Sequence, residues 1–341
     1  MNHTKQAIAI RNNTREMLTI EVRYDLTNRR PTILLLSFFI VYNDFRPEVK
    51  KFLFPLYEIC LNMPAVISKE AKKVLFVNSE IFPYLPESDI ATVGRFLPQG
   101  IQERGYEIRS FMPRYGCVNQ RRNQQHEVIP HSGMNIVVGA VDRQLVIKVA
   151  SISSARMQVY FIDNEDFFHR KAVDRDADGK FFADNDERAM FFARGVLETV
   201  KKLRWKPDLV HCQGWISYLM PLYLKKVYNQ DPIFADSKVV LSLYNDLDGL
   251  NFSPDMADRV AINNIKAEDV SEIAAGTAGT DLAKLAIRYS DGVITAAGGV
   301  DASLEAYAKE KNLSIITSPA ISTENTTYID EYEKFYDQIL A

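Results

Sequence analysis

The feature that most constrains the fold is a series of short apolar segments, each separated from the next by a helical one, from Lys73 to the C-terminus. Val74-Leu-Phe-Val77 is apolar at every position, the pattern of a strand covered on both faces in a parallel sheet. A helix is predicted over 88–104, where Ile90, Val93, Gly94, Leu97 and Ile101 recur at helical spacing and Gly105 supplies a left-handed stop. A second strand runs over 106–112 and ends at Pro113. Further on come a helix over 187–203, the strand Leu209-Val-His211, a helix over 217–228 and a strand over 238–244. Helices between 257 and 289, a strand over 292–295, a helix over 301–311, a strand over 313–317 and a last helix over about 324–340 complete the pattern. Strands spaced by helices of this length need right-handed crossovers. The prediction is therefore an α/β chain built on a single doubly wound, Rossmann-like parallel sheet.

Between the second strand and the helix over 187–203 the rhythm changes. Segments 125–129, 135–141, 144–154 and 157–163 read as short strands divided by glycine or polar turns, which predicts a β-hairpin or meander insertion at the sheet edge. Asp174-Arg-Asp-Ala-Asp-Gly179 opens like a calcium loop. Its twelfth position is Asn185, not the bidentate glutamate such a loop needs, so a solvated turn is expected and no metal is implied. Asp184 to Asp186 are placed to cap the helix that follows.

The 41 basic and 44 acidic side chains nearly cancel, and no basic stripe with interleaved aromatics is present, so nucleic acid is not an expected partner. The apolar run Ile33 to Tyr42 is about half the roughly 20 residues of a membrane-spanning helix. It lacks the flanks and cleavage site of a signal peptide, and is read as a buried strand or short helix. Cys60, Cys117 and Cys212 are too far apart for a zinc pair or a redox dithiol; the expectation is three small buried residues in a reducing cytoplasm. Residues 1–62 fit the later rhythm poorly beyond a strand over 17–24. They are read as an extension or a mis-called start, with Met63 opening the domain 63–341.

Four motifs, in order, resemble the glycogen/starch synthase family. Lys73-Val-Leu-Phe-Val-Asn-Ser-Glu-Ile-Phe-Pro-Tyr84 is similar to its opening strand and turn, and Val93-Gly94 and Leu97-Pro98 to the helix after it. Arg104-Gly-Tyr-Glu-Ile-Arg109 with Met112-Pro-Arg-Tyr-Gly116 resembles a second motif, and Asp184-Asn-Asp-Glu-Arg188 with Phe191, Phe192 and Arg194 a third. The fourth is Trp205-Lys-Pro-Asp-Leu-Val-His211 with Trp215 and Pro221-Leu-Tyr-Leu-Lys225. Tyr289-Ser-Asp-Gly-Val-Ile-Thr295 looks like the strand that finishes the domain. The resemblance implies the N-terminal, acceptor-side half of a GT-B glycosyltransferase, with the C-terminal nucleotide-sugar domain absent. It also implies retaining transfer of glucose from ADP-glucose to an α-1,4-glucan such as glycogen or starch, without a cofactor. The chain's activity alone is in question, and a separate C-terminal-domain chain or a full-length synthase is the partner it would need. The competing reading is a catalytically silent glucan-binding or regulatory module.

Site residues follow from the same resemblance. The family carries a Lys-Thr-Gly-Gly loop toward the donor phosphates where this chain has Pro86-Glu87-Ser88-Asp89, an acidic loop that repels a diphosphate; Ser88 can equally be an ordinary helix cap. Glu80 stands just before it, and Glu80 with Pro86, Glu87, Ser88 and Asp89 is the candidate donor-side substrate-binding element. The family's His-x-His-Asp-Trp-His stretch is His211-Cys-Gln213-Gly-Trp215-Ile here, which makes His211 and Gln213 candidate catalytic groups, with a hydrogen-bonded structural histidine as the other reading of His211. Asn245 is a third catalytic candidate, and Tyr244 and Trp215 are candidate sugar platforms, with Asp246 and Asp248 close by. Tyr244 to Gly249 is equally good turn chemistry. Arg114 is the candidate cation.

Overall fold

The computed structural model describes residues 71–321 and 327–341 and the backbone of three strands among the first forty residues. The chain divides into two units, residues 1–70 and 71–341. In the first, strands β1 (Lys5–Arg11), β2 (Leu18–Tyr24) and β3 (Phe38–Ile40) pair antiparallel in that order. β2 falls within the expected strand over 17–24, and β3 lies inside the apolar run. The rest of that run, Cys60 and the Met63 start lie outside the described residues.

The second unit holds strands β4 (Lys73–Asn78), β5 (Glu107–Pro113), β6 (His126–Glu127), β7 (Met134–Val138), β8 (Val141–Ile152), β9 (Met157–Asp163), β10 (Leu209–Gln213), β11 (Lys238–Leu243), β12 (Gly292–Thr295) and β13 (Ser314–Thr317). The sheet order is β13-β12-β11-β10-β4-β5-β9-β8-β6, with β7 also on β8. β13 through β9 are parallel, whereas β8 runs antiparallel to β9 and carries β6 and β7 antiparallel to itself. The doubly wound sheet and its hairpin insertion are as expected, with one difference. The segment 157–163 belongs to the parallel sheet, since β9 pairs with β5 from Ser110↔Val159 to Pro113↔Ile162.

β4 lies mid-sheet, and Val74, Leu75, Phe76 and Val77 are fully buried. Each such side chain contributes about 1.5–3 kcal/mol on leaving water, which explains why a strand with no polar alternation occupies this place. From β4 the chain lays down β5 and β9 on one side, then crosses back to build β10 to β13 on the other. The reversal falls between β4 and β10, where open α/β sheets leave a crevice at the carboxyl ends of their strands.

The helices are α1 (Asp89–Glu103), α2 (Glu165–Phe168), α3 (Asn185–Lys202), α4 (Met220–Lys226), α5 (Met256–Val260), α6 (Ser271–Ala275), α7 (Gly279–Arg288), α8 (Ala302–Glu310) and α9 (Thr327–Leu340). Ser88 caps α1, accepting from the Ala91 N–H at 3.0 Å. α9 returns to the sheet centre: its Tyr336 hydroxyl meets His211 Nδ1 at 2.7 Å, and its Glu333 pairs with Arg104 of the turn after α1 at 3.0 Å. The expected helix over 217–228 begins instead as a 3-10 turn, Trp215–Ser217, and becomes α4 only where Pro221 fits a first-turn position. Asp184 occupies the N-cap of α3, but its carboxylate pairs with Arg170 and not with the helix backbone. Cys212 is buried as expected; Cys117 is exposed. Among the described residues no helix is long and apolar enough to cross a membrane.

Candidate functional site

At the β4/β10 reversal Asn78 lies opposite Gln213, and the Ser79 N–H donates to the Gln213 carbonyl at 2.8 Å. Two glycines let the segments close on one another. Gly214 adopts φ +80°, and a Cβ there would lie 2.0 Å from Ser79 Oγ. A Cβ on Gly94 of α1 would lie 2.4 Å from the Glu80 carbonyl oxygen, so the helix can rest directly on the turn after β4.

The carboxyl ends of β4, β10 and β11 concentrate polar atoms that the protein does not satisfy. Asn78 Nδ2 and Oδ1, Ser79 Oγ, Gln213 Oε1, the Tyr244 hydroxyl and Asp246 Oδ1 are all buried, with no hydrogen-bond partner among the described residues. The Gln213 amide is held by Nε2 donating to the Ile90 carbonyl at 2.7 Å, which leaves Oε1 as the unused acceptor. Each buried unpaired group costs about 1–3 kcal/mol, so six atoms at one sheet edge call for an occupant rich in donors and acceptors.

The electrostatics narrow the kind of occupant. Glu80, Asp174 and Asp246 all have carboxyl pKa values above the usual range. Burial is the largest cause for each; the Asp174 charge adds to the rise at Glu80, and the Glu80 and Asp174 charges add to that at Asp246. Asp246 is pushed up to about 6. Glu80 accepts from the Ser88 hydroxyl at 2.7 Å, and Asp174 receives a hydrogen bond from the Trp215 side chain. Arg175 and Arg188 lower Asp174 only in part. Such an edge suits sugar hydroxyls and opposes phosphate. Beside it, Tyr244, Asn245, Asp248, Thr280 and Gly299 line a depression of about 230 Å³.

Residues 73–299 match the family model described as the starch synthase catalytic domain. The chain belongs to this family. Its curated relatives include the glycogen synthase of Chlorobium limicola, 38% identical over 174 residues, which cover 51% of this chain and 36% of that protein. The glycogen synthase of Chlorobaculum parvum is 32% identical over 217 residues, 62% of this chain and 44% of that one. The matched stretch thus spans well under half the length of these relatives. Among solved structures, the catalytic domain of starch synthase IV from Arabidopsis thaliana, bound to ADP and acarbose, superposes with a TM-score of 0.59 at 16% identity, over 72% of this chain and 51% of that one. At that identity the likeness shows the fold, one half of a GT-B architecture.

Within this synthase-family domain the candidate residues separate into groups. Glu80, Gln213, Trp215, Tyr244 and Asn245 gather at the carboxyl edge. Pro86, Glu87, Ser88 and Asp89 form the exposed entry to α1, joined to the edge by the Ser88–Glu80 hydrogen bond. His211 sits two residues inside, because β10 runs on to Gln213. It is fully buried, with Nε2 on Ser242 Oγ and Nδ1 on the Tyr336 hydroxyl, both at 2.7 Å. Burial holds its pKa down at about 3, and its geometry is that of a neutral hydrogen-bonded core histidine. Trp215 is 4% exposed beneath the rings of Phe181 and Phe252, and Tyr244 is 5% exposed, so neither offers an open face to a sugar. Arg114 donates to Gln120 at 3.3 Å beyond the end of β5. Sequence reasoning missed Asn78, Ser79 and Asp174 as members of this edge. The first two lay in plain view in the opening motif, and Asp174 was absorbed into the calcium-like turn.

Proposed function

We propose that this chain is the acceptor-side half of a glucosyltransferase that extends an α-1,4-glucan from ADP-glucose with retention of configuration. The observation that carries the reading is the group of unpaired buried polar atoms at the β4/β10 reversal of a synthase-family domain. The exposed Asn245 would hold a sugar hydroxyl, Gln213 and the Tyr244 hydroxyl would form the polar floor beneath it, and the Glu80 and Asp246 carboxylates would stabilise the positive charge that develops at the donor carbon. His211 would position Gln213 by fixing the strand that carries it. The acidic loop Pro86 to Asp89 supplies no cation for a diphosphate, so that charge would be met by a nucleotide-sugar half outside these 341 residues, whether on a separate chain or a full-length synthase. The relative solved with ADP and acarbose supports the choice of nucleotide and of glucan-like acceptor. The widely spaced cysteines and near-neutral charge support a cytoplasmic place of action.

The test joins this chain to the nucleotide-sugar half of the Chlorobium limicola glycogen synthase and follows labelled glucose from ADP-glucose into glycogen. Incorporation as α-1,4 linkages, at least tenfold reduced by Gln213→Ala, is the expected result. Glycogen binding without turnover from any nucleotide-glucose donor would instead identify a silent glucan-binding module.

A further inference from the structure

At the sheet edge opposite the β4/β10 crevice, where the parallel strands β4, β5 and β9 begin, an open cleft of about 700 Å³ lies between the end of α1 and the turn joining β8 to β9. Its polar lining includes Gln102, Glu107, Arg109, Ser151, Arg156 and Gln158. The proposed reaction, at the carboxyl ends of the strands, makes no use of this cleft.

Two polar atoms of the lining are buried without a hydrogen-bond partner among the described residues, Gln102 Oε1 and Arg109 Nε. One is an acceptor and the other a donor, and a hydroxyl group can serve either. The rest of the Arg109 guanidinium is in use. Nη1 donates to the Ile108 carbonyl at 3.0 Å, Nη2 pairs with Glu107 at 3.3 Å, and the group lies over Trp205, 5.3 Å from the ring centroid. Trp205 Nε1 in turn donates to Glu107 at 2.7 Å, which fixes the carboxylate beside Arg109. Arg156, exposed in the turn between β8 and β9, makes no side-chain hydrogen bond or ion pair among the described residues.

We propose that this cleft binds a small polyhydroxy monocarboxylate, a sugar acid, with its carboxylate on Arg156 and its hydroxyls on Gln102 Oε1 and Arg109 Nε. Two arginines against one glutamate give the lining a net charge of +1. The part of that charge not already matched is one planar guanidinium, whose paired N–H groups fit one carboxylate. A phosphate monoester would bring close to two negative charges beside Glu107, and a diphosphate more. The exposed Ser151 and Gln158 add donors and acceptors for further hydroxyls, and the cleft is of the size that small ligands occupy. The site shares no residue with the glucan-acceptor edge, and the two are tested separately.

Trp205 allows a direct test, because Trp215→Phe leaves it as the single indole of the full chain, in contact with Arg109 and Glu107. Titration with gluconate at pH 7 is expected to give a saturable change in Trp205 emission, and calorimetry on the parent chain the same dissociation constant. Arg156→Ala should weaken gluconate binding about tenfold and Gln102→Ala about threefold, while both leave maltoheptaose binding as in the parent. Glucose, which has the hydroxyls without the carboxylate, should move Trp205 emission only at concentrations about tenfold higher than gluconate. Gluconate binding that Arg156→Ala leaves unchanged overturns the proposal, as does a Trp205 response to glucose or to inorganic phosphate as tight as that to gluconate. No saturable gluconate binding by either method overturns it as well, and leaves the glucan-acceptor reading standing.

Discussion

Two buried titratable groups, His211 and Asp246, respond to pH in opposite senses, and they separate structural from functional chemistry at the level of single residues. Asp246 has a raised folded-state pKa, so its protonated form favours the fold. The stability it contributes is complete below the unfolded carboxylate range and is lost as pH rises through about 6. Asp246→Asn removes that loss. Thermal unfolding of the variant should match the parent near pH 4 and exceed it at pH 8 by on the order of 2 kcal/mol. His211 is the reverse case: its depressed pKa leaves stability intact above the unfolded histidine value, and that stability is lost as pH falls toward 3. A transfer-rate profile that bends near pH 6 would therefore be assigned to Asp246. The bend should persist in His211→Gln and vanish in Asp246→Asn.

Elements, more than residues, decide how closely the site is assembled. Gly94→Ala would press a methyl group against the Glu80 carbonyl, and α1 would have to lift from the turn after β4. A loss of about 1–3 kcal/mol in urea unfolding is expected. Arg188 of α3 is fully buried, donating from Nε to the Phe167 carbonyl at 2.9 Å, from Nη2 to the Val173 carbonyl at 2.6 Å, and from Nη1 to Asn185. It holds the segment leading into Asp174. Arg188→Met would leave three acceptors unpaired, with an expected loss of about 3–5 kcal/mol and weaker glucan binding by the folded fraction.

Much of this level was legible in the sequence, because apolar runs such as Val74 to Val77 and Gly292 to Thr295 have few alternatives to burial in a parallel sheet. What escaped depended on length and on tertiary contact. β10 extends two residues beyond the expected His211, which moves that histidine from the sheet edge into the core and puts Gln213 at the edge. Trp215 and Tyr244 read as platforms because a sequence does not reveal which aromatic ring covers another. Asp174 is 94 residues from Glu80 in the chain and meets it only through the fold.

For the molecule as a whole, membership of the starch synthase catalytic domain family and the half-GT-B fold account for the sheet, and the proposed function assigns glucan, not nucleotide, to its acidic carboxyl edge. The reading divides labour: glucan on this half, nucleotide diphosphate on another. Calorimetry on the full chain at pH 7, titrated in parallel with maltoheptaose and with ADP, tests that division most directly. The account predicts saturable maltoheptaose binding, weakened about tenfold in the double variant Gln213→Ala/Asn245→Ala, and no measurable heat with ADP. Saturable ADP binding with none for maltoheptaose would contradict it.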